Sequence, residues 1–435
     1  MAKLTFLSRQ LEEIDPVVRY GLVSKLVGLV IESQGPEAGL GELCFISSND
    51  NPAGIMAEVV GFNDGKTLLM PIDSTGGVYP GSTVRASGRT LEVAVGPELL
   101  GRVVDGLGNP MDDSPAIVRQ RFNPLHANPP KPLSRPRITE PLTLGVKAID
   151  SMLTMGKGQR LGIFAGSGVG KSTLLGMIAR NTRAEVNVIG LVGERGREVR
   201  EFVERDLGLE GLARSVVVVA TSDQPPLVRM KAAYTATAIA EFFRDQGADV
   251  LLMMDSVTRF ATAQREVGLA IGEPPATRGY PPSVFANLPK LLERAGTSEE
   301  GTISALYTVL VDGDDHNEPI ADAVRGILDG HVVLTRDLAA RGHFPAINIL
   351  ASISRVMNEV VSEEHIRFSR MLREVLATYD RARDLIEIGA YNKGSDSRID
   401  YAIDKIADCD RFLCQEIKEK YDLGETIELL QQIFA

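Results

Sequence analysis

The chain has 435 residues, 44% of them hydrophobic, which is enough to bury large cores in more than one domain. Its formal net charge at pH 7 is −11 and its pI is about 5.2, which argues against nucleic acid as a partner. No apolar run reaches the length of about 18 residues that predicts a transmembrane helix, and the first residues lack the apolar centre of a signal peptide.

The N-terminal part of the chain predicts a helix followed by a β-rich domain. Within residues 1–20, apolar residues recur at helical spacing, at Leu4, Leu7, Leu11 and Ile14. Pro16 would end that helix. From residue 21 to 95, short β-rich runs alternate with Gly, Asn, Asp and Pro turns, which is typical of a small β-barrel or sandwich. The clearest runs are residues 27–31, 58–62 and 67–70. A proline-rich stretch, residues 121–142, predicts a stiff, extended surface connector.

Apolar strands alternate with helical patterns over residues 145–350, which predicts a parallel sheet covered on both faces. From about residue 355 the pattern is helical. The chain therefore divides into an N-terminal helix (1–20), a barrel (21–95), an α/β core (96–355) and a C-terminal helical domain (356–435). The predicted strands of the core are residues 160–164, 186–192, 215–220, 249–254, 304–310 and 346–350. One helical face of the last domain carries Met371, Leu372, Val375 and Leu376.

Residues 165–173 read Ala-Gly-Ser-Gly-Val-Gly-Lys-Ser-Thr, the pattern of a phosphate-binding P-loop. Glycines let backbone N–H groups surround a polyphosphate, a lysine reaches its β- and γ-phosphates, and a hydroxyl holds Mg²⁺. A predicted strand precedes the loop, and a helix with an apolar face at residues 174–178 follows it. A glycine-rich turn without function is the alternative. The predicted ATP-binding residues are Gly166, Ser167, Gly168, Val169, Gly170, Lys171, Ser172 and Thr173.

Asp255 ends an apolar strand 84 residues after the P-loop lysine. The carboxyl ends of strands in α/β sheets face the ligand, so this carboxylate is the expected partner of Ser172 in holding Mg²⁺, through water. A strand-ending turn aspartate is the alternative interpretation.

The segment at residues 193–198, Gly-Glu-Arg-Gly-Arg-Glu, follows another predicted strand. Hydrolysis of a γ-phosphate needs a group that orients and polarises water, and Glu194 is the candidate. Arg195 would then contact phosphate oxygens and Glu198 would hold a metal-bound water. A charged, solvated loop is the alternative for this segment.

Two residues near the end of the α/β core are further candidates. Arg355 follows the predicted strand 346–350 and could reach the phosphates of a neighbouring subunit as an arginine finger, or form an internal salt bridge. Phe344 precedes the same strand and could stack on a base, although a core phenylalanine is the more common role.

Cysteine and histidine contents indicate no disulfide framework and no zinc site. The three cysteines, Cys44, Cys409 and Cys414, are odd in number and lack metal-ligand spacing, which predicts reduced thiols in a cytosolic protein. The five histidines are scattered along the chain, so no structural zinc is expected.

Together these segments resemble the rotary-type secretion ATPases, relatives of the catalytic β subunit of ATP synthase. The likeness covers about residues 20–435 and rests on residues 100–108, 165–173, 192–198, 255–260, 279–285 and 352–356. Residues 165–172 and 175–180 are most similar to the flagellar protein-export branch; the injectisome branch shares most motifs and is the alternative. Residues 385–394 replace the acidic loop typical of the synthase β subunit, which argues against that subunit.

This resemblance implies a RecA-like P-loop ATPase core between an N-terminal β-barrel and a C-terminal helical domain. It implies that Lys171 and Ser172 bind phosphate and Mg²⁺, Glu194 activates water, and Asp255 supports the metal. Arg355 would then be the finger given to the adjacent subunit, and Phe344 would stack on adenine.

The resemblance also implies partners. These are five further copies in a homohexameric ring with sites at its interfaces, a dimeric regulator at the N-terminal helix, a central coiled-coil stalk protein and an export gate, with export substrates and chaperones as clients. The protein would then be cytoplasmic, peripheral to the inner membrane at the export apparatus.

Two rival classes share this core. An RNA-translocating ring motor of the termination-factor type would need a basic, aromatic barrel, whereas residues 1–95 hold seven Lys/Arg against eleven Asp/Glu. A non-catalytic nucleotide-binding ring subunit would lack the carboxylate that Glu194 provides.

Overall fold

The computed structural model describes residues 18–72, 76–115, 117, 121–311 and 318–435. Most of the helix predicted at residues 1–20 lies outside the described residues, and its last residue, Tyr20, begins a strand. The chain forms two compact units. The first runs to Glu92 and includes Pro225–Leu227 and Arg265–Pro275; the second comprises the remaining residues.

The first unit contains a closed six-stranded barrel, as predicted. Its strands close in the order β1-β2-β5-β4-β3-β6. Inward and outward side chains alternate along the strands: in the third strand, Cys44 and Ile46 are buried between half-buried neighbours. The strands are β1 (Tyr20–Val27), β2 (Val30–Gln34), β3 (Glu42–Ser47), β4 (Ile55–Asn63), β5 (Lys66–Pro71) and β6 (Thr83–Thr90).

One β-rich run predicted for the barrel, residues 27–31, does not form a single strand. Residues 27–31 contain a hairpin turn, because β1 ends at Val27 and pairs there with Val30, the first residue of β2. Gly28 begins the turn with a φ of 57°, a conformation that costs glycine little and other residues more.

The second unit is built on a large, mostly parallel sheet in the order β19-β18-β12-β17-β15-β13-β14-β8, with β16 paired to β17. The strands that form the centre of the sheet are apolar and buried, as a sheet covered on both faces requires. The remaining strands of the chain are β7 (Glu92–Val95), β8 (Val103–Asp105), β9 (Arg121–Pro124), β10 (Pro141–Leu142), β11 (Met155–Gly156), β12 (Arg160–Ala165), β13 (Val186–Glu194), β14 (Ser215–Thr221), β15 (Asp249–Asp255), β16 (Gly296–Thr297), β17 (Thr302–Leu310), β18 (Gly330–Leu334) and β19 (Ile353–Ser354).

The strand predicted at residues 346–350 is absent. Within it, Ile347 alone forms a bridge, to Leu334 of β18, and β18 takes the sheet position beside β12. Asn348 bends the segment into a turn because its Oδ1 accepts a hydrogen bond from the backbone N–H of Ala351. Sequence analysis did not predict β18 or the edge strand β8.

Helices cover the sheet and form the C-terminal region. The three C-terminal helices extend the core of the α/β region: Leu372 and Val375 are buried in it, as predicted, whereas Met371 and Leu376 are half-buried. No helix of the described residues is both long and apolar enough to cross a membrane. The α-helices are Lys147–Met152, Lys171–Asn181, Gly196–Glu201, Gly208–Ala213, Pro226–Arg244, Val257–Ala270, Pro282–Leu292, Pro319–Ile327, Arg336–Ala340, Met357–Val360, Glu363–Glu387, Ser397–Leu413 and Leu423–Phe434, and Phe202–Leu207 is a π-helix.

The proline-rich connector is mostly exposed but is anchored at Leu125, which is fully buried. Arg294, 1% exposed, donates a hydrogen bond from Nη1 to the carbonyl oxygen of Leu125 and binds both carboxylate oxygens of Glu241, at 2.8 and 2.5 Å. The buried guanidinium is tolerated because its N–H groups donate to a carboxylate and to a backbone carbonyl oxygen.

We expect Arg294→Met to destabilise the protein by about 3–5 kcal/mol, because it leaves the Glu241 carboxylate buried without a cation. The measurement is guanidinium unfolding followed by circular dichroism. Arg197→Met, which breaks an exposed pair with Glu201, is the control and should leave the midpoint unchanged. An unchanged midpoint for Arg294→Met as well would contradict a structural role for the buried pair.

Candidate active site

The P-loop joins β12 to the helix Lys171–Asn181, which we call the P-loop helix. Gly168 and Gly170 have φ values of 80° and 89°, in the left-handed region that favours glycine. Val169, which lies between these two glycines, is buried and anchors the loop. The predicted apolar face of the helix is also buried, at Leu174, Leu175, Met177 and Ile178. The loop therefore stands at the carboxyl end of a central parallel strand, where α/β folds bind phosphate.

Lys171 lies between two carboxylates in the first turn of this helix. Its Nζ contacts Oδ1 of Asp255 and lies 3.6 Å from Oε1 of Glu194. Burial by itself lowers the pKa of Lys171, but Asp255 and Glu194 outweigh burial and raise the pKa above its usual value. The ammonium group is therefore charged at neutral pH.

Asp255 is the last residue of β15, as predicted, and is buried. Thr308, on the neighbouring strand β17, donates a hydrogen bond of 2.6 Å from its hydroxyl to Oδ1 of Asp255. This contact from a fully buried hydroxyl helps to fix the carboxylate. Sequence analysis missed Thr308, although a polar residue inside the apolar run 304–310 was a signal.

Glu194 ends β13, which pairs in parallel with β15 so that Leu191 lies opposite Asp255. Burial, and then the charge of Asp255, raise the pKa of Glu194 to about 7, while Lys171 acts in the opposite direction. A hydrogen bond with Glu198 raises it further. A carboxylate that titrates near neutral pH suits a general base.

Arg195 and Glu198 differ from Glu194 in their surroundings. Both lie on the exposed surface at the start of the helix Gly196–Glu201, where they form a salt bridge of 3.3 Å. The sequence segment thus contains one buried carboxylate beside the lysine and a solvated charged helix after it. Exposed pairs of this kind contribute little to stability.

Arg355 is exposed and follows the short strand β19 rather than the predicted strand 346–350. Its backbone N–H donates to the carbonyl oxygen of Asp329. Within the described part of the chain, its guanidinium forms no ion pair, so the internal salt bridge considered as the alternative is not observed there.

Phe344 is 45% exposed, which does not fit the role of a core phenylalanine. Its ring borders the P-loop: a Cβ atom added to Gly170 would lie 3.6 Å from the ring. An aromatic face beside a phosphate-binding loop is in the right neighbourhood to stack on the base of a bound nucleotide.

Thus the fold brings the buried Asp255 and the partly buried Lys171 and Glu194 into one cluster, with Ser172 in the same helical turn as Lys171 and Phe344 beside the loop. Such an arrangement can neutralise a polyphosphate, hold a divalent cation with oxygen ligands, and deprotonate or orient a water molecule.

Comparison with known families agrees with this site. Family profiles match three segments: the beta-barrel domain of the ATP synthase alpha/beta family at residues 23–88, its nucleotide-binding domain at residues 145–354, and the T3SS EscN ATPase C-terminal domain at residues 361–432. The flagellum-specific ATP synthase of Bacillus subtilis (strain 168) is 56% identical over 97% of both chains. The type 3 secretion system ATPase of Xanthomonas euvesicatoria is 51% identical over 99% of this chain and 97% of its own.

The chain belongs to the ATP synthase alpha/beta family. It is an ATP-hydrolysing P-loop enzyme of the branch that contains flagellum-specific ATP synthases and type 3 secretion ATPases. The assembled ATPase EscN from the type III secretion system of enteropathogenic E. coli has the same fold, with a TM-score of 0.91 and 48% identity over 95% of this chain and 100% of its own. EscN in complex with its central stalk EscO gives a TM-score of 0.89.

We expect Glu194→Gln to bind ATP but to lower turnover by about 10²–10⁴-fold, the usual contribution of a general base. The change keeps the shape of the side chain and removes the charge that polarises water. Phosphate release and nucleotide affinity are the measurements, and Glu201→Gln, an exposed carboxylate on the next helix, is the matched control. Turnover within a few-fold of the unmodified enzyme would contradict the assignment of Glu194.

A second prediction follows from the pKa of Glu194, which is raised to about 7. Only the ionised carboxylate accepts a proton, so kcat/KM for ATP should fall about tenfold per pH unit below about pH 7. Glu198→Gln removes the charge of Glu198, which after burial and Asp255 also raises this pKa, so the fall in kcat/KM on the acid side of the pH profile should begin at a slightly lower pH. If kcat/KM begins to fall at the same pH in both enzymes, a group other than Glu194 controls the pH dependence.

Proposed function

We propose that this protein hydrolyses ATP to ADP and phosphate as a homohexameric ring that energises export of flagellar proteins through a type III export apparatus. The observation that carries the proposal is the buried cluster of Lys171, Asp255 and Glu194 beside the P-loop. Identity of 56% to a flagellum-specific relative, against 51% to a type 3 secretion relative, favours flagellar export. The ATPase of a virulence injectisome is the alternative.

The P-loop residues 166–173 would hold the phosphates, with Lys171 neutralising the β- and γ-phosphates. Asp255 and Ser172 supply the oxygen ligands that suit Mg²⁺, and Glu198 would hold a metal-bound water. When bound, Mg²⁺ supplies charge neutralisation between the β- and γ-phosphates. The donor set fits this ion because the Asp255 carboxylate contacts Lys171, and the Ser172 hydroxyl belongs to the next residue in the first turn of the P-loop helix.

Glu194 would orient the attacking water and take its proton on a carboxylate oxygen. Lys171 contacts Asp255 and lies 3.6 Å from Glu194, so these ion pairs would keep the three groups together until phosphate takes the place of the carboxylates at Lys171. Arg195, although paired with Glu198 on the surface, would reach phosphate oxygens from the rim of the site.

Arg355 would complete the site of the adjacent subunit. Its exposure and the lack of an ion-pair partner among the described residues support a contact outside its own chain. The assembled state of EscN supports a ring. Phe344 would stack on adenine from its place beside the P-loop.

The remaining partners follow from the same proposal. EscN was solved with a central stalk protein, and the C-terminal helices of this chain would face such a stalk and the export gate. Residues 1–20, largely outside the described part of the chain, would bind a dimeric regulator. Export substrates and chaperones would be the clients, nucleic acid would have no role, and the protein would work in the cytoplasm, peripheral to the inner membrane.

Deletion of the gene tests the cellular role. Cells should lose extracellular hook and filament proteins, and a wild-type copy but not a Lys171→Ala copy should restore them. Retained flagella together with lost secretion of virulence effectors would instead favour the injectisome.

The ring can be tested with two inactive variants. Lys171→Ala removes the phosphate ligand and Arg355→Ala removes the finger, whose contribution to rate is on the order of 10³–10⁵-fold. Each variant alone should be inactive, whereas their mixture should regain part of the turnover, because some interfaces then pair an intact P-loop with an intact arginine. Phosphate release across mixing ratios is the measurement.

The specific activity of the unmodified enzyme should also rise with protein concentration, since a monomer has no complete site. No recovery at any mixing ratio, with a specific activity independent of concentration, would place Arg355 outside the active site.

A further inference from the structure

The loop between the last two helices, residues 414–422, is tied to the nucleotide-binding region at several points. The guanidinium of Arg180 and the side-chain amide of Asn181, in the last turn of the P-loop helix, donate hydrogen bonds to the carbonyl oxygens of Ile417 and Glu419. The ammonium of Lys147 lies 4.6 Å from the ring centre of Tyr421. The loop is thus a fixed part of the core rather than a free linker.

Gln415 is the buried centre of this loop, at 5% exposure. Its Oε1 accepts a hydrogen bond of 2.8 Å from the backbone N–H of Lys147, and its Nε2 donates to the carbonyl oxygens of Gly145 at 2.9 Å and Glu419 at 3.1 Å. Both amide donors and the acceptor are therefore used, and the side chain has one orientation in which all of them are satisfied.

The backbone of Gln415 holds the candidate aromatic residue. Its N–H donates a hydrogen bond of 2.9 Å to the carbonyl oxygen of Phe344. Phe344 is 45% exposed, and its ring borders Gly170 of the P-loop. The residue that carries this exposed ring is thus tied through its backbone to Gln415, whose side chain is itself fixed by three hydrogen bonds.

We propose that Gln415 is a positioning residue for the nucleobase: it fixes the place of Phe344 relative to the P-loop and couples base binding to the C-terminal helices. The inference rests on the proposed stacking of Phe344 on adenine. Gln415 acts through Phe344 and does not touch the nucleotide, so its loss weakens binding of the base and leaves phosphate chemistry intact.

Gln415→Met keeps the size of the side chain and removes its three side-chain hydrogen bonds, while the backbone bond to Phe344 can remain. Stacking of a base on an aromatic side chain is worth about 5- to 140-fold in affinity, which is the expected rise in KM for ATP in Phe344→Ala. For Gln415→Met we expect a rise of about 3- to 10-fold, part of the stacking effect, with kcat within about twofold. Inhibition by tripolyphosphate, which has no base, should be unchanged.

The double variant Phe344→Ala/Gln415→Met decides whether Gln415 acts through the ring. Its KM should equal that of Phe344→Ala, since residues that act through one group are not additive. Gln432→Met, an exposed glutamine on the last helix, is the matched control and should behave as wild type. Gln415→Glu serves as a second variant: it keeps the size and the acceptor but sets a carboxylate against two carbonyl oxygens, and should raise KM as well.

A direct measurement of base binding is available because the chain contains no tryptophan. Phe344→Trp introduces a single fluorophore whose emission a stacked adenine should quench. Adding Gln415→Met to this variant should raise the ADP concentration needed for half-maximal quenching.

Four results would overturn the proposal. A KM unchanged in Gln415→Met, while Phe344→Ala raises it, rejects the positioning role alone. Multiplicative effects in the double variant, or an equal loss of tripolyphosphate inhibition, show that Gln415 acts on the fold as a whole. A KM unchanged in Phe344→Ala rejects the stacking itself and the inference with it, while ATP hydrolysis by the Lys171 cluster would still stand.

Discussion

The contact of one buried ammonium with two carboxylates organises the active site of this protein. Asp255 and Glu194 end neighbouring parallel strands, so their charges are held close together by the register of β13 and β15. Two adjacent buried carboxylates would repel each other, and burial would protonate at least one of them. Lys171 offsets this repulsion, and the P-loop helix is thereby joined to the edge of the sheet that carries the chemistry.

The same helix is held at its other end. Arg180 and Asn181 contact the 414–422 loop, which belongs to the C-terminal helical region. A movement of the P-loop helix when phosphate replaces the carboxylates around Lys171 would therefore reach the C-terminal helices through direct hydrogen bonds. In the proposed function this region would face the stalk and the gate, so these hydrogen bonds would connect the phosphate site with the surface that binds those partners.

Much of this arrangement could be predicted from local sequence. Buried parallel strands are continuous apolar runs, and polar residues at their carboxyl ends are easy to recognise, which is why Asp255 and Glu194 were found. The strands predicted at residues 27–31 and 346–350 were wrong for two reasons. An apolar run does not reveal a turn inside it, as at residues 27–31. Nor does it reveal which of two apolar segments takes the sheet position beside β12, which belongs to β18. Thr308 and Gln415 were missed because their roles depend on contacts with residues 53 and 268 positions away.

Electrostatics is one reason to propose that a neighbouring subunit completes the active site. Within the cluster, one cation faces two carboxylates, so the site carries a net negative charge before a polyanionic substrate enters. Binding ATP there requires further positive charge, and Mg²⁺ supplies part of it. In the transition state, additional negative charge develops on the γ-phosphate oxygens, and a second cation would stabilise it. The charge of Arg195, which would reach phosphate oxygens from the rim of the site, is partly offset by Glu198, whereas Arg355 is exposed with no ion-pair partner among the described residues. In the proposed ring, Arg355 of each subunit would give the neighbouring site a further cation and would itself gain an anionic partner.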